Sequence, residues 1–175
     1  MYQGMTPLDI AIKQQDFETV KLFLEKGANP NKCDVRGHTP IYYALHLHNS
    51  AHILGLLLCY NADPNVGCSG IAITMLQWSA LYHDVEYTRL LIEAGADVNL
   101  TFGWGTALHS SIRHDNIPVV RFLLESGANP NITDYDGKTP LDYAIKNKTR
   151  ELQDLLTNAG AKTSKELLES TSQSS

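Results

Sequence analysis

The sequence contains few cysteines and no long apolar run. Its three cysteines, Cys33, Cys59 and Cys68, are an odd number without paired spacing, which argues against a disulfide framework and favours free thiols in a reducing compartment. No apolar run approaches the ~18 residues that a membrane span needs, and the first residues lack the basic and apolar regions of a secretory signal. We therefore expect an intracellular, cytoplasmic protein with no membrane contact. A protein exported without such a signal stays an alternative.

The sequence also lacks an excess of basic residues. Its 14 Lys and Arg residues against 19 Asp and Glu residues give a net charge of −5 with neutral histidines. A surface that binds nucleic acid normally carries a basic stripe that neutralises phosphates, and no Lys/Arg cluster in this sequence could form one. We therefore expect no nucleic-acid partner.

Motifs that carry catalytic chemistry are absent as well. The sequence has no Gly-rich phosphate loop, no His-Glu-x-x-His, no Cys-x-x-Cys pair and no Gly-x-Ser-x-Gly elbow. We expect no enzyme activity, no catalytic residue, no cofactor and no small-molecule substrate. The one histidine-rich stretch, residues 46–52, has ligand spacing only between His48 and His52, with no carboxylate or cysteine nearby in sequence. We interpret it as a polar turn in preference to a metal site.

What the sequence does contain is a repeated segment. Residues 24–31, Leu-Glu-Lys-Gly-Ala-Asn-Pro-Asn, return in close copies at 58–65, 92–99 and 124–131, and in a truncated copy at 157–161. In each copy a helical run meets Gly, or Asn at position 61, where a left-handed C-cap is needed, and a small residue then leads into a turn. Each copy is therefore predicted to end one helix and begin a turn.

Threonines mark the helix starts at a constant offset before each copy. They lie at positions 6, 39, 74, 106 and 139, so the steps are 33, 35, 32 and 33 residues. Thr as N-cap, often followed by Pro at the first helical position, is a helix start. A period of this length with two helices per unit, here called the inner and the outer helix, predicts a solenoid.

These motifs resemble those of the ankyrin-repeat family. Thr-Pro-Leu-(His/Asp)-x-Ala, followed by Gly-Ala-(Asn/Asp)-x-Asn, recurs over about residues 6–162. The resemblance implies an all-α solenoid of stacked helix-turn-helix pairs with β-hairpin-like fingers. We place the units at about 4–36, 37–71, 72–103, 104–136 and 137–162, followed by a short polar tail over 163–175 with a helical turn at 165–169 and disorder from 170. Met1 is either a true start or a cut from a longer array.

The resemblance implies a protein-interaction module, expected to be monomeric, whose recognition surface is the finger tips and the concave face near the inner-helix ends. By register this surface has an apolar and aromatic centre, with Arg36, Arg113 and Lys138 on its rim and Tyr135 at a finger tip. The centre consists of Leu47, Ile71, Leu81, Tyr82, Phe102 and Trp104. Two alternatives stay open: the irregular fingers fold these side chains back onto one another, or the chain is a targeting or regulatory segment of a larger enzyme or effector.

Three further residues have expected roles. Trp78 faces the core by register. The resemblance gives His109 a structural hydrogen bond near the start of its inner helix. Asn99 lies in a spacing that resembles the one preferred by the asparaginyl hydroxylase of ankyrin fingers, and the favoured interpretation is that it bonds neighbouring backbone in its turn.

Overall fold

The computed structural model describes residues 4–66, 73–82 and 85–172, and all regular secondary structure within them is helical. Ten helices form five consecutive pairs, each an inner helix followed by an outer one, and an eleventh helix follows the last pair. Their bounds are α1 Pro7–Lys13, α2 Phe17–Glu25, α3 Pro40–Leu45, α4 Ala51–Cys59, α5 Met75–Tyr82, α6 Val85–Glu93, α7 Ala107–Arg113, α8 Ile117–Glu125, α9 Pro140–Asn147, α10 Arg150–Asn158 and α11 Ser164–Ser172.

Threonine begins inner helices as predicted. In α1 the Thr6 hydroxyl accepts a hydrogen bond from the Asp9 amide at 3.2 Å, and the Asp9 carboxylate accepts one from the Thr6 amide at 2.8 Å. This reciprocal pair satisfies two backbone donors that a helix start otherwise leaves unpaired. The same threonine N-cap begins α3, α7 and α9 at Thr39, Thr106 and Thr139.

Left-handed residues end the outer helices, which confirms the second predicted signal. The residues with positive φ at these ends are Gly27, Asn61, Gly95, Gly127 and Gly160, with φ between 63° and 92°. A second, unpredicted set of left-handed residues separates inner from outer helices: Gln15, Asn49, Asp115 and Lys148. Gln15 and Lys148 carry no local signal for this conformation, whereas Asn49 and Asp115 are of residue types that adopt it more often than most.

The chain divides into two compact units, and the first, unit 1, comprises Met1–Leu76 and Glu86–Ala96. In it α1 packs against α2 and α3, and α3 and α2 both pack against α4. The Ser50 amide donates to the Tyr87 hydroxyl at 2.8 Å and so ties the start of α4 to α6. Its largest fully buried side chains are Ile12, Ile41, Leu45, Ile53, Leu54, Leu57, Met75 and Leu91. Each contributes on the order of 1.5–3 kcal/mol by leaving water.

The second compact unit, unit 2, comprises Gln77–Val85 and Asp97–Ser175. Here α7 packs against α8 and α9, and α10 packs against α9 and α8. The fully buried side chains Leu108, Ile112, Leu123 and Leu152 come from α7, α8 and α10. Since each helix is only 7 to 9 residues long, its stability depends on this packing more than on intrinsic propensity.

The last asparagine of the repeated segment joins successive repeats. Asn31 donates from Nδ2 to the Asn61 carbonyl at 2.9 Å and accepts from the Asp63 amide at 2.7 Å. Asn99 bonds the Gly127 carbonyl and the Asn129 amide in the same way, at 3.3 and 2.7 Å. The Asn99 side chain therefore bonds backbone as expected, but the backbone is that of the next repeat and not that of its own turn.

The tail is more helical than predicted. Helix α11 continues to Ser172 instead of ending near residue 169. Thr163 begins it with a reciprocal pair to Glu166, in which the Thr163 amide donates to the carboxylate at 2.7 Å. The Ser164 amide also donates to the Asp142 carboxylate at 3.1 Å, which ties the helix start to α9. The helix therefore extends three residues beyond the helical turn that the sequence predicted.

Candidate protein-interaction surface

Each regular finger is built around a buried aspartate. In the finger of unit 1, Asp34 Oδ1 accepts hydrogen bonds from the Arg36 and His38 amides, both at 2.8 Å, and Oδ2 accepts one from the Tyr43 hydroxyl at 2.6 Å. Burial raises the pKa of Asp34, but these hydrogen bonds outweigh it and hold the pKa below its usual range. The ionised carboxylate therefore holds the turn of the finger together by accepting these hydrogen bonds.

The last finger, in unit 2, repeats this arrangement and adds a cation. Asp134 Oδ1 accepts from the Asp136 and Lys138 amides at 3.0 Å each, and Oδ2 accepts from the Tyr143 hydroxyl at 2.6 Å. Arg113 Nη2 donates to the same oxygen at 3.0 Å and to the Tyr143 hydroxyl at 2.8 Å. A charge-assisted network of this kind holds the finger and two inner helices in one geometry.

Arg113 is not the rim residue that the sequence predicted. Its side chain is only 21% exposed, and the guanidinium carbon lies 5.1 Å from the Trp104 ring centroid and 4.5 Å from that of Tyr143. The Asp134 carboxylate draws the guanidinium inward, between two aromatic rings, because a buried carboxylate is most stable beside a positive charge. The Arg113 guanidinium therefore packs against the Trp104 ring.

Phe102 and Trp104 lie on an exposed tight finger. The Phe102 amide donates to the Gly105 carbonyl at 3.0 Å, and Gln77 Nε2 donates to the Phe102 carbonyl at 2.9 Å, which fixes the finger on α5. The side chains of Phe102 and Trp104 remain 52% and 64% exposed. Phe102 and Trp104 therefore lie outside the core of unit 2.

Tyr82 is the third exposed aromatic residue of unit 2, at 59% exposure. Its ring lies 4.6 Å from that of Trp78 and 6.1 Å from that of His114. Trp78 is half-buried, which is usual for a side chain as large as tryptophan even where it faces a core. Its neighbour Gln77 is fully buried, and the side-chain amide of Gln77 donates to the Phe102 carbonyl of the finger.

The other predicted site residues are distributed over both units. In unit 2, Leu81 is half-buried, Lys138 is exposed and Tyr135 is 93% exposed at its finger tip. Tyr135 and Phe102 line one shallow cavity of about 260 Å³ between the two fingers. In unit 1, Arg36 is exposed and Leu47 half-buried. Ile71 lies outside the described residues.

His109 has the structural role that was expected. It is buried, its Nδ1 accepts from the Thr106 amide at 3.1 Å, and its Nε2 donates to the Lys138 carbonyl at 3.1 Å. Burial lowers the pKa of His109, so the imidazole is neutral near pH 7. The ring therefore joins the start of its own helix to the next finger.

Sequence reasoning missed an aromatic stack in unit 1. The rings of His38 and Tyr42 stack at 4.1 Å, and those of Tyr42 and His46 lie 3.8 Å apart. The spacing of four residues between these positions was visible in the sequence and indicates one side of a helical turn.

Within the residues that the structure describes, no three His, Cys, Asp or Glu side chains are grouped to hold a metal ion. No helix in that part of the chain is long and apolar enough to cross a membrane.

Comparison with known proteins identifies the family. The family model described as ankyrin repeats (3 copies) matches residues 2–68 and 76–166. The inversin of Canis lupus familiaris is 29% identical over 161 residues, 87% of this chain and 15% of inversin. The transient receptor potential channel pyrexia of Drosophila melanogaster is 38% identical over 93 residues, 52% of this chain and 10% of the channel. The palmitoyltransferase AKR1 of Lachancea kluyveri is 31% identical over 115 residues, 63% of this chain and 16% of that enzyme.

The chain spans 16% or less of the length of these three relatives. The helix pairs, their capped starts and their left-handed ends agree with the family match, and the predicted all-α ankyrin-repeat solenoid is confirmed. Ankyrin repeats are generally protein-interaction modules. The chain belongs to the ankyrin-repeat family.

Proposed function

We propose that the chain is a non-catalytic module that binds a partner protein through its fingers and inner-helix ends. In unit 2 the contact surface is formed by the exposed rings of Tyr82, Phe102, Trp104 and Tyr135, which we call the aromatic surface. Such rings supply large contact area with little loss of side-chain freedom, and they are enriched among the residues that dominate binding energy. Lys138 lies exposed beside them and has the character of a rim residue.

The observation that carries this proposal is the support beneath Trp104. An exposed indole packed on a guanidinium that is itself held by Asp134 and Tyr143 is fixed before any partner arrives. Preorganisation reduces the entropy that binding would otherwise consume. A tryptophan that is 64% exposed and held in this way offers a partner a preformed apolar contact surface.

Truncation of the aromatic surface tests the proposal. A partner is recovered by affinity purification from a lysate of the source organism, purified, and titrated with Tyr82→Ala, Phe102→Ala and Trp104→Ala. We expect each substitution to weaken binding by about 2 kcal/mol or more, a factor of about 30 in Kd. The thermal melt should change little, because these rings are more than half exposed.

The matched control is Leu22→Ala, which removes an apolar side chain that is 49% exposed on the outer helix α2. It should leave both binding and melting nearly unchanged. If Leu22→Ala weakens binding while the three aromatic variants do not, the partner uses the outer helices and the proposed surface is wrong.

A second candidate function is favoured by the relatives. The chain covers only 15% of an inversin and 16% of a palmitoyltransferase, so a repeat segment of this kind occurs within much longer proteins. The chain would then be the targeting or regulatory segment of a larger enzyme or effector. The length of the native polypeptide, measured by immunoblot with an antibody raised against residues 4–66, tests this reading. A native product of the length of this chain would contradict it.

A further inference from the structure

A cleft of about 320 Å³ opens in unit 1 beside the finger that Asp34 closes. It lies between that finger and the inner helices α1 and α3. The lining residues that matter are Lys13, Arg36, His38, Tyr43, His46 and Leu47. None of the aromatic surface residues of unit 2 contributes to it.

The permanent charges that line this cleft are unbalanced. Lys13 and Arg36 bring two positive charges, and Asp34 is the one carboxylate among the described lining residues. The Asp34 side chain is 1% exposed, and both of its oxygens already accept hydrogen bonds from the finger. Within the described part of the chain no carboxylate lies within 4.0 Å of the Arg36 guanidinium. Lys13 and Arg36 therefore place two cationic side chains at one cleft of a chain that is negative by five charges overall.

The walls of the cleft are aromatic and held in place. Tyr42 is packed between the rings of His38 and His46, at 4.1 and 3.8 Å, and His46 Nδ1 donates to the Tyr42 carbonyl at 2.7 Å. Lys13 Nζ lies 5.6 Å from the centroid of the Tyr43 ring. Aromatic walls exclude water on one side, and a charge pair formed against them is stronger than one in open solvent.

We propose that this cleft binds the carboxylate of a Glu or Asp side chain in an acidic segment of the partner protein. The proposal rests on the function proposed above and names the chemistry of the partner. The Arg36 guanidinium fits the two oxygens of a carboxylate, and the Lys13 ammonium adds a second positive charge.

Phosphate is the less suitable occupant. A phosphate group carries nearly two negative charges and three acceptor oxygens, and its sites draw heavily on backbone amides. The finger amides of Arg36 and His38 already donate to Asp34. The first residue of α3 is Pro40, which has no N–H to donate.

The test uses the full chain and a hexaglutamate peptide as the probe, with hexaglutamine as its neutral control. Nitrogen-15 NMR titration should show saturable shifts of the Lys13, Arg36, His38 and Leu47 amides with hexaglutamate and none with hexaglutamine. Arg36→Gln and Lys13→Gln should each raise the Kd by about 5- to 10-fold, as expected when a charge-assisted contact is lost. Lys13→Arg should restore most of the affinity.

Lys21→Gln is the charge-matched control in the same unit, because Lys21 lies on the outer helix α2, away from the cleft lining, and pairs with Glu25 at 4.0 Å. It should change the Kd by less than about 2-fold. Equal losses for Lys21→Gln and Arg36→Gln would show that only net charge matters and would overturn the proposal. Inorganic phosphate that competes at concentrations equal to those of the peptide would overturn the choice of carboxylate.

Trp104→Ala separates this proposal from the proposed function. It should leave hexaglutamate binding unchanged and weaken binding of the purified partner. If hexaglutamate fails to shift the Arg36 amide while the partner still responds to Trp104→Ala, the cleft proposal fails and the proposed function stands. If the peptide binds at Arg36 and the partner is indifferent to Trp104→Ala, the aromatic surface fails instead.

Discussion

One sequence position shows how much a single side chain decides in this fold. The third residue after the helix-starting threonine is Asp9 in the first repeat, Gln77 in the third and His109 in the fourth. Gln77 and His109 reach a carbonyl of the following finger. Asp9 is shorter, and its Oδ1 is buried with no hydrogen-bond partner among the described atoms. Burial accordingly raises the pKa of Asp9.

His109→Gln should make the stability of the chain less sensitive to acid. Because burial lowers the pKa of His109, the unfolded chain takes up a proton at a higher pH than the folded chain does. The stabilising contribution is therefore complete above about pH 6.5 and is lost as the pH falls from there towards the folded pKa. Urea unfolding at pH 7.5 and pH 5.5 should show a smaller loss of unfolding free energy for the variant.

Glutamine is the suitable replacement because Gln77 already spans from helix to finger at the equivalent position. At pH 7.5 the variant should therefore lie within about 1 kcal/mol of the unaltered chain. The finger aspartates Asp34 and Asp134 stay ionised at both pH values, because hydrogen bonds hold their pKa values below the usual range. Equal losses of stability between the two pH values would show that His109 is not kept neutral by burial.

At the scale of the helix, the left-handed C-cap is the element that turns the chain towards the next finger. Gly127 has a φ of 88°, and a Cβ added there would meet no atom within 4 Å. Gly127→Val should therefore lower the unfolding free energy by about 1–2 kcal/mol or more through backbone strain alone. Urea unfolding measures the change.

Gly127→Asn is the control, since Asn61 holds the equivalent position with a φ of 63°. It should lower the unfolding free energy by less than about 1 kcal/mol, which is a smaller loss than that for valine. If valine were tolerated as well as asparagine, the left-handed conformation at this helix end would be refuted.

The helices could be predicted because their signals are local. A threonine and a glycine each act within one helical turn, so a repeated motif was enough to place starts and ends. Exposure of Phe102 and Trp104 followed from the same register, since glycines flank them on a finger. Arg113 was misjudged because the carboxylate that draws it inward, Asp134, is 21 residues further along the chain and belongs to the next finger.

At the scale of the whole chain, the repeating asparagines make the stability of each repeat depend on its contacts with the next repeat. Each joins its own turn to the next repeat, as Asn131 does by donating to the Gly160 carbonyl at 3.0 Å and accepting from the Lys162 amide at 2.7 Å. Repeat proteins gain their stability largely from such contacts between adjacent units. The sequence showed the asparagines but not their partners, which lie 28 to 32 residues away.

Asn131→Ala should lower the unfolding free energy by about 1–2 kcal/mol, because it leaves a carbonyl and an amide without their partner. Asn158→Ala is the control: Asn158 is exposed at the end of α10, and its loss should change stability by under about 0.5 kcal/mol. Chemical denaturation followed by circular dichroism measures both. Equal effects of the two substitutions would contradict the role of Asn131 as a link between repeats.

The finger aspartates also govern how the chain behaves in alkali. Tyr43 and Tyr143 donate to Asp34 and Asp134, and burial together with these bonds raises the pKa of both phenols. Phenols of an unfolded chain ionise near pH 10, so the stability that these two contribute is complete below that pH and is lost as the pH rises from there towards the pKa values of the folded chain. While both fingers stay closed, Tyr43 and Tyr143 keep their protons. The ultraviolet absorbance of phenolate is therefore lower than eight ionised tyrosines would give. In strongly alkaline solution the absorbance of this chain reports the opening of its fingers.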